Sequence, residues 1–382
     1  MAPRVLTAVA SAGNSGRISA VRASAACLRA STDHRLEFFL SYRLAVSVKP
    51  ADGSPAGAYP QDVGTGSCPQ FRLMASPTRP DRCTVEAMNG WGDTFSAAGL
   101  SVMSKAELVS CGATDGALTA AVRSGHLLRL RRDRYSLPSL DSDAQRAVRV
   151  GGRLTCVSAL ASYGVFAFDT RNTHIHLVSH MSRLRSPQNR GIALDVHNRS
   201  SVELHWGALL DPHSGDDVRV GIVDALAQAV RCTHPWHAIA SVDNALHLGL
   251  IDQSDVAEIF RWAPDRFGWL RTVVDGRAEA GQESVLRMIV HEAGLNYELQ
   301  RVIDGVGRVD LVVEDCVALE ADSRAYHDGW EAHVRDRGRD LELAVRGYAS
   351  LRPAYAHTMH NPLLVQKAVS GLVHQQVSFA SA

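Results

Sequence analysis

The spacing of apolar residues changes along the chain, and each change marks a predicted segment boundary. Residues 1–87 show no sustained periodicity and are rich in Ala, Ser, Gly and Pro, which predicts a disordered extension or a translation start further downstream. Residues 88–140 show short helical patterns and a hairpin, residues 141–275 mix helical and strand-like stretches, and residues 276–375 show a helix followed by alternating strands. The pattern predicts a mixed α/β (α+β) protein with three ordered segments.

The first ordered segment carries the signals of two capped helices and a hairpin. Ser104 and Thr114 can each cap a short helix, and the two helices are separated by a tight turn. The stretch 127–137 then alternates as a hairpin that turns at Arg132–Asp133. Helix, tight turn, helix and basic hairpin is the layout of a winged helix-turn-helix.

Positive charge is concentrated on that hairpin, although the whole chain balances 40 basic against 40 acidic side chains. A balanced chain exerts no global attraction on nucleic acid or membranes, so any attraction must be local. A basic cluster of this kind neutralises phosphates and releases counterions, whereas the alternative is a solvated surface without a ligand. The candidate DNA-binding residues are Arg123, Arg129, Arg131, Arg132 and Arg134.

Cysteines and apolar runs define the expected environment. The 7 cysteines are scattered without a C-x-x-C pair, which favours free thiols in a reducing cytoplasm. No apolar run reaches the roughly 18 to 20 residues that a membrane span needs. The sequence therefore predicts a soluble, cytoplasmic protein without membrane contact, and it makes no prediction of oligomeric state.

The middle segment predicts strands at 173–178, 192–197 and 202–206 between helical stretches. His174 and His176 share one face of the first of these strands, and further histidines follow it. Histidines on one face can bind a metal, but no acidic or cysteine partner stands at a matching spacing. A structural or exposed role is therefore predicted for the histidines at 174, 176, 180, 197 and 205.

The last segment carries a set of carboxylates on predicted strands. Glu283 opens an apolar-periodic helix, Asp310 lies within an apolar strand, and Glu320 and Asp322 are two apart on the next strand. A carboxylate in an apolar strand costs several kcal/mol unless it is paired or bound to a cation. Asp310, Glu320 and Asp322 would converge from two adjacent hairpin strands, and such an oxygen-rich pocket favours Mg²⁺ or Mn²⁺, which activates water at a phosphodiester. His327 follows closely enough to act as a general base.

A charged helix over residues 331–346 and a final strand complete this segment. Arg337 and Arg339 on that helix are available to hold a nucleic-acid backbone. Helix, three-stranded meander, helix and strand is the layout of a restriction-endonuclease-like core.

Residues 104–138, SKAELVSCGATDGALTAAVRSGHLLRLRRDRYSLP, resemble the N-terminal winged-helix domain of AbiEi-type antitoxins. Asp133 stands where that family commonly has glycine. The resemblance implies promoter DNA binding and autoregulation of a toxin-antitoxin operon, with a cognate toxin as a further partner.

Two stretches of the last segment, GQESVLRMIVHEAGLNYELQRVIDGVGRVDLVVEDCVALEADSRAYH and RDRGRDLELAVRGYASLRPAY, resemble a second family. It is an uncharacterised family related to very-short-patch-repair (Vsr) endonucleases, in the PD-(D/E)XK superfamily. Ser323 stands where this branch generally has glycine. The resemblance implies a hydrolase, a Mg²⁺-dependent DNA endonuclease; the alternative is a non-catalytic AbiEi-like antitoxin or transcriptional repressor with a degenerate nuclease fold. The implied metal ligands are Glu283, Asp310 and Glu320, with Asp322 in place of the superfamily lysine and His327, Arg337 and Asp340 as supporting residues.

Overall fold

Three small sheets, each packed against helices, make up the part of the chain that a computed structural model describes, residues 90–322 and 330–380. This arrangement confirms the predicted mixed α+β class. The predicted N-terminal extension, and the residues Ser323 and His327, lie outside the described residues. Within the described ranges no helix is both long enough and apolar enough to cross a membrane.

The first segment forms a small sheet with three helices, and its elements begin and end close to the predicted positions. Ser104 Oγ accepts a hydrogen bond from Glu107 N at 3.1 Å, and Glu107 Oε2 accepts one from Ser104 N at 2.7 Å, which forms a capping box. Thr114 Oγ1 caps the next helix by accepting from Ala117 N at 3.2 Å. The sheet is antiparallel in the order β1-β3-β2. The elements are α1 (Trp91–Ala98), β1 (Val102–Met103), α2 (Lys105–Ser110), α3 (Asp115–Arg123), β2 (Leu128–Arg131) and β3 (Arg134–Ser136).

The hairpin between β2 and β3 turns at Arg132–Asp133, as predicted. Asp133 adopts a φ of 60°, in the left-handed region that glycine favours and that aspartate tolerates better than most residues. Its Oδ1 accepts a hydrogen bond from Lys105 N at 2.8 Å. The aspartate therefore supplies the turn conformation and also fastens the hairpin to the first turn of α2.

The middle segment surrounds a three-stranded sheet of order β4-β5-β6, in which β5 and β6 are parallel. The strand predicted at 192–197 is wrong. Asp195 Oδ1 accepts hydrogen bonds from His197 N at 2.8 Å and Asn198 N at 3.1 Å, so the side chain closes a local turn in place of a strand. The elements are α4 (Ser142–Val150), β4 (Arg153–Leu154), α5 (Cys156–Ser162), β5 (Thr173–Leu177), β6 (Val202–Trp206), α6 (Ile222–Cys232), α7 (Pro235–His247), α8 (Gln253–Trp262) and a 3₁₀ helix (Asp265–Val273).

The last segment forms a four-stranded sheet of order β10-β9-β8-β7, in which β10 runs parallel to β9 and the other neighbours are antiparallel. Glu314 and Asp315 turn the chain between β8 and β9 with φ values of 47° and 53°, typical of a tight hairpin. The third strand of this segment, predicted over residues 316–322, ends at Leu319, so Glu320 and Asp322 lie beyond it. The elements are α9 (Gly281–Glu292), β7 (Tyr297–Ile303), β8 (Gly307–Val313), β9 (Val317–Leu319), α10 (Trp330–Val345), β10 (Ala349–Leu351), α11 (Tyr355–His360) and α12 (Pro362–Ala380).

Helix α9 is buried along most of its length and is fixed to α7 by a buried ion pair. Arg287 Nη2 lies 2.6 Å from Asp243 Oδ2, and the two side chains are 1% and 0% exposed. Ser284 Oγ donates to the same carboxylate oxygen at 2.7 Å. Because a buried charge is tolerated only with a partner, this pair ties α9 to one position against α7.

Candidate active site

The predicted site residues Glu283, Asp310 and Glu320 lie near one another where α9 meets the last sheet. In β8, Asp310 precedes Leu311, whose partners are Leu299 of β7 and Leu319 of β9, so Gln300 and Glu320, which follow those partners, flank Asp310; these three residues are called the row. Ala321 N donates to Asp310 Oδ2 at 2.9 Å, which fixes that carboxylate against the end of β9. Glu283 lies in the first turn of α9 and reaches the row through Gln300.

Glu283 is held by three hydrogen-bond donors. Its Oε2 accepts from Glu279 N at 3.0 Å and from Gln300 Nε2 at 2.9 Å, and its Oε1 accepts from Ala280 N at 3.2 Å. Gln300 adopts a φ of 52°, an uncommon conformation for a non-glycine residue inside a strand. Its Oε1 atom is buried and accepts no hydrogen bond from the residues that the structure describes. Among those residues, the row therefore contains an unsatisfied acceptor.

Glu320 is neutralised by two arginines. Arg339 Nη2 lies 2.6 Å from Glu320 Oε1, and Arg352 forms an ion pair with the other carboxylate oxygen. Arg352 also donates through Nε to Asp340 Oδ1 at 2.9 Å, and Arg337 Nη1 lies 3.1 Å from Asp340 Oδ2. Carboxylates and guanidinium groups thus alternate from Glu320 to the surface.

A pocket of about 340 Å³ opens beside this network. Its wall combines two guanidinium groups with two carboxylates and a hydroxyl group. Arginines that line a concave surface are well suited to bind phosphate, since the guanidinium group matches phosphate oxygens in pairs. The lining residues are Asp322, Arg337, Asp340, Ser350 and Arg352.

Burial raises the pKa of Glu283 and of the two carboxylates in the row. For Glu283, burial and then repulsion from Asp310 raise the pKa to about 7. Burial also raises the pKa of Asp310, against the hydrogen bond from Ala321 N. For Glu320, burial raises the pKa and the two arginines, Arg352 and then Arg339, oppose that change. Buried acids with raised pKa values are enriched at functional sites.

The carboxylates adjoin one another without meeting at a single point. In the described ranges, the set of His, Cys, Asp or Glu ligand atoms that all lie within 4.8 Å of one another contains neither Glu283, Asp310 nor Glu320. Convergence of the acids on one ion therefore stays a prediction, and these side-chain positions show a separation between them. The cause of this separation is local, because Glu320 turns to its two arginines and Glu283 folds back onto the start of its own helix.

Sequence reasoning missed several members of this site. Gln300 was detectable, because a hairpin that turns at Asp304–Gly305 fixes Gln300 opposite Asp310. Arg352 and Glu279 were not detectable, since their proximity depends on how the sheet and helices pack. Glu279 pairs with Arg308 at 2.6 Å and lowers the net positive charge next to Asp310.

The predicted DNA-binding arginines differ in their availability. Arg131 is half-buried and donates to Val150 O at 3.3 Å, and burial lowers its pKa. Arg339 is 34% exposed and is occupied by Glu320, whereas Arg337 is 61% exposed. The exposed arginines of the hairpin and the preceding helix are Arg123, Arg129, Arg132 and Arg134.

The middle segment contains a cluster that the sequence reasoning rejected. The interpretation that its histidines have no cysteine partner is wrong, because two cysteines distant in sequence lie beside two of them. His176 is buried next to Gln228, with His180 and His197 exposed, in agreement with the structural or exposed role predicted for them. The clustered residues are Cys156, His174, His205 and Cys232.

Comparison with known proteins gives relatives that match over 60% of this chain. No family model matches the sequence. "Uncharacterized protein MT2308" of Mycobacterium tuberculosis (strain CDC 1551 / Oshkosh) is 30% identical over 247 residues, which cover 60% of this chain and 86% of the relative. "Uncharacterized protein Rv2248" of Mycobacterium tuberculosis (strain ATCC 25618 / H37Rv) matches with the same identity and coverage. The chain belongs to the same family as these two mycobacterial proteins.

Proposed function

We propose that the protein is a DNA-binding, metal-dependent endonuclease. Its first ordered segment is a winged helix-turn-helix that holds duplex DNA, and its last segment is a nuclease core of the PD-(D/E)XK type that hydrolyses phosphodiester bonds. One observation carries the proposal: the carboxylates of Asp310 and Glu320, both largely buried, lie near each other and near Glu283, which Gln300 holds by a hydrogen bond. The order of helix, antiparallel meander, helix and parallel strand agrees with such a core.

The residues present fit a hard divalent cation. Carboxylate and amide oxygens are the ligands that Mg²⁺ and Mn²⁺ prefer. Gln300 Oε1 is buried and has no partner within the described part of the chain, and the buried carboxylates gain from a positive charge next to them. Asp310, Glu320 and Glu283 would hold the cation, which would supply a water of lowered pKa and stabilise charge on a phosphodiester oxygen.

The chain's own groups complete the site. Arg339 and Arg352, which neutralise Glu320, are placed to pair with a phosphate once Glu320 serves as a ligand. Asp340 orients Arg352 through its bond to Nε, and Arg337 and Asp322 line the pocket in which the phosphate would lie. His327, which lies outside the described residues, is the candidate general base of this proposal.

The exposed arginines of the first segment supply the DNA-binding surface in this proposal. Arg129, Arg132 and Arg134 extend from the hairpin, and Arg123 extends from the end of α3. Thr119 lies on the exposed face of the same helix, where a recognition helix contacts base edges. The arginines would neutralise phosphates, and α3 would contribute any sequence preference.

A non-catalytic DNA-binding regulator of the antitoxin type is the second candidate. It is favoured by the pairing of Glu320 with two arginines, which satisfies the charge of this carboxylate without a cation. In that case the last segment would bind a partner, such as a cognate toxin, and Asp310 would have no role in chemistry.

Cleavage of supercoiled plasmid by the full chain, with Mg²⁺ or Mn²⁺, separates the two candidates. We expect wild type to nick DNA and Asp310→Asn to lose the activity by more than about 100-fold, since changes outside the ligand shell alone cost about 10- to 100-fold. Asp304→Asn is the matched control, because Asp304 is an exposed aspartate on the same hairpin. If wild type and Asp310→Asn bind DNA equally and neither cuts it, the regulator replaces the nuclease.

A further inference from the structure

Four metal-binding side chains meet in the middle segment, outside the acidic site. Their ligand atoms all lie within 4.8 Å of one another. His174 Nδ1 lies 3.0 Å from His205 Nε2, and Cys232 Sγ lies 3.8 Å from His174 Nδ1. The fourth side chain, Cys156, is fully buried.

Four different elements bring these residues together. Cys156 is the first residue of α5, and Cys232 is the last residue of α6. His174 and His205 lie on the parallel strands β5 and β6, where the register pairs His176 with His205 and so sets His174 diagonally next to it. Cys156 adopts a φ of 49°, an uncommon backbone conformation that directs the start of α5 toward the strands.

We propose that Cys156, His174, His205 and Cys232 bind one Zn²⁺ ion with a structural role. Two thiolates and two imidazoles form a complete tetrahedral ligand set for zinc, and no fourth position is left for water as in a catalytic site. Tetrahedral bonds of ordinary length place two nitrogens about 3.3 Å apart and a sulfur about 3.5 Å from a nitrogen. The distances of 3.0 Å and 3.8 Å in the structure differ from these by a few tenths of an ångström.

The site would fasten two helices to the middle sheet. Leu160 of α5, Ile175 of β5 and Leu226 of α6 are fully buried in the same core, so the ligands come from elements that already pack together. Because zinc holds such ligands only in the folded chain, its binding free energy adds to the stability of the fold. Helix α4 also packs on this sheet, and its Val150 O accepts a hydrogen bond from Arg131. This bond connects the basic hairpin to a helix of the middle segment.

Metal analysis of the full chain, purified without chelator, tests the proposal. We expect one zinc ion per wild-type chain and strongly reduced zinc in Cys232→Ser and His205→Ala. Cys316→Ser and His197→Ala are matched controls that should keep the ion, since neither residue belongs to the cluster. His205→Cys should retain zinc, because it exchanges one zinc ligand for another.

A second readout needs no variant. Replacement of zinc by Co²⁺ should give the intense visible absorption of a tetrahedral ion and a sulfur-to-cobalt charge-transfer band. A wild-type chain without zinc and without these cobalt bands overturns the proposal. So does zinc that remains in Cys232→Ser and His205→Ala alike, or a thiol titration under denaturing, non-reducing conditions that finds Cys156 joined to Cys232 by a disulfide.

Discussion

Replacement of Glu283 by glutamine changes the pH dependence of stability in a way that the structure determines. Glu283 is 7% exposed, and burial together with repulsion from Asp310 raises its pKa from 4.5 to about 7. Between pH 4.5 and about 7, the folded protein therefore holds a proton on Glu283 that the unfolded chain has already released. This advantage is complete below pH 4.5 and is lost as the pH rises through 7.

The size of this effect follows from the pKa difference. Since one pKa unit corresponds to 1.36 kcal/mol, ionisation of Glu283 costs the folded state about 3 kcal/mol above its folded pKa. Between the two pKa values the free energy of unfolding should fall by about 1 kcal/mol per pH unit from this group alone. Glu283→Gln lacks the ionisation, so its stability relative to wild type should increase by about 3 kcal/mol from pH 4.5 to pH 8.

Urea unfolding of wild type and Glu283→Gln between pH 4.5 and pH 8, without added Mg²⁺ or Mn²⁺, measures this difference. Glu298→Gln, at an exposed position of β7, serves as the control and should keep the wild-type profile. Addition of Mg²⁺ should stabilise wild type at high pH and leave Glu283→Gln much less affected. A stability difference that does not change with pH would refute the reasoning.

Three further changes test other parts of the structure. Asp243→Ala leaves the buried Arg287 guanidinium without its counterion and should cost about 3 to 5 kcal/mol in urea unfolding; a loss under about 1 kcal/mol would contradict the buried ion pair. Alanine at the three exposed hairpin arginines, Arg129, Arg132 and Arg134, should weaken duplex binding. It should also flatten the dependence of log K on log salt by about 0.9 for each lost phosphate contact, and an unchanged slope would exclude the hairpin from the DNA surface. Gly152→Ala should lower the thermal midpoint sharply, because its Cβ would lie 2.1 Å from His176 O, whereas Gly116→Ala on exposed α3 should raise it slightly; equal midpoints would show that the contact is not tight.

Local structure was largely predictable where one residue decides it. Ser104 and Thr114 cap the helices that follow them, and Asp133 sits in the turn that the alternation of the hairpin predicts. The prediction failed at residues 192–197, whose apolar alternation is typical of a strand, because the side chain of Asp195 closes a turn with the backbone. Side-chain hydrogen bonds of this kind override hydrophobic periodicity over short stretches.

The residues of the candidate site could be predicted from the sequence, whereas the ion pairs that they form could not. Periodicity and turn positions suffice to place Asp310 beside Glu320, since strand register follows from the hairpins. Nothing local indicates that Arg352, on the final strand, pairs with Glu320. The Cys–His cluster depends on packing more than the acidic site does. Cys156 and Cys232 are far apart in sequence and meet only when α5 and α6 pack on the sheet.

Titration of Mn²⁺ into the purified full chain, with free Mn²⁺ followed by electron paramagnetic resonance, tests most directly whether the acidic row holds a cation. The proposed site predicts saturable binding by wild type and by Asp304→Asn, with affinity lowered by more than about 100-fold in Asp310→Asn, beyond the range for changes outside the ligand shell. Equal binding by wild type and Asp310→Asn, or no saturable binding by wild type, would contradict a metal-dependent nuclease site at Glu283, Asp310 and Glu320.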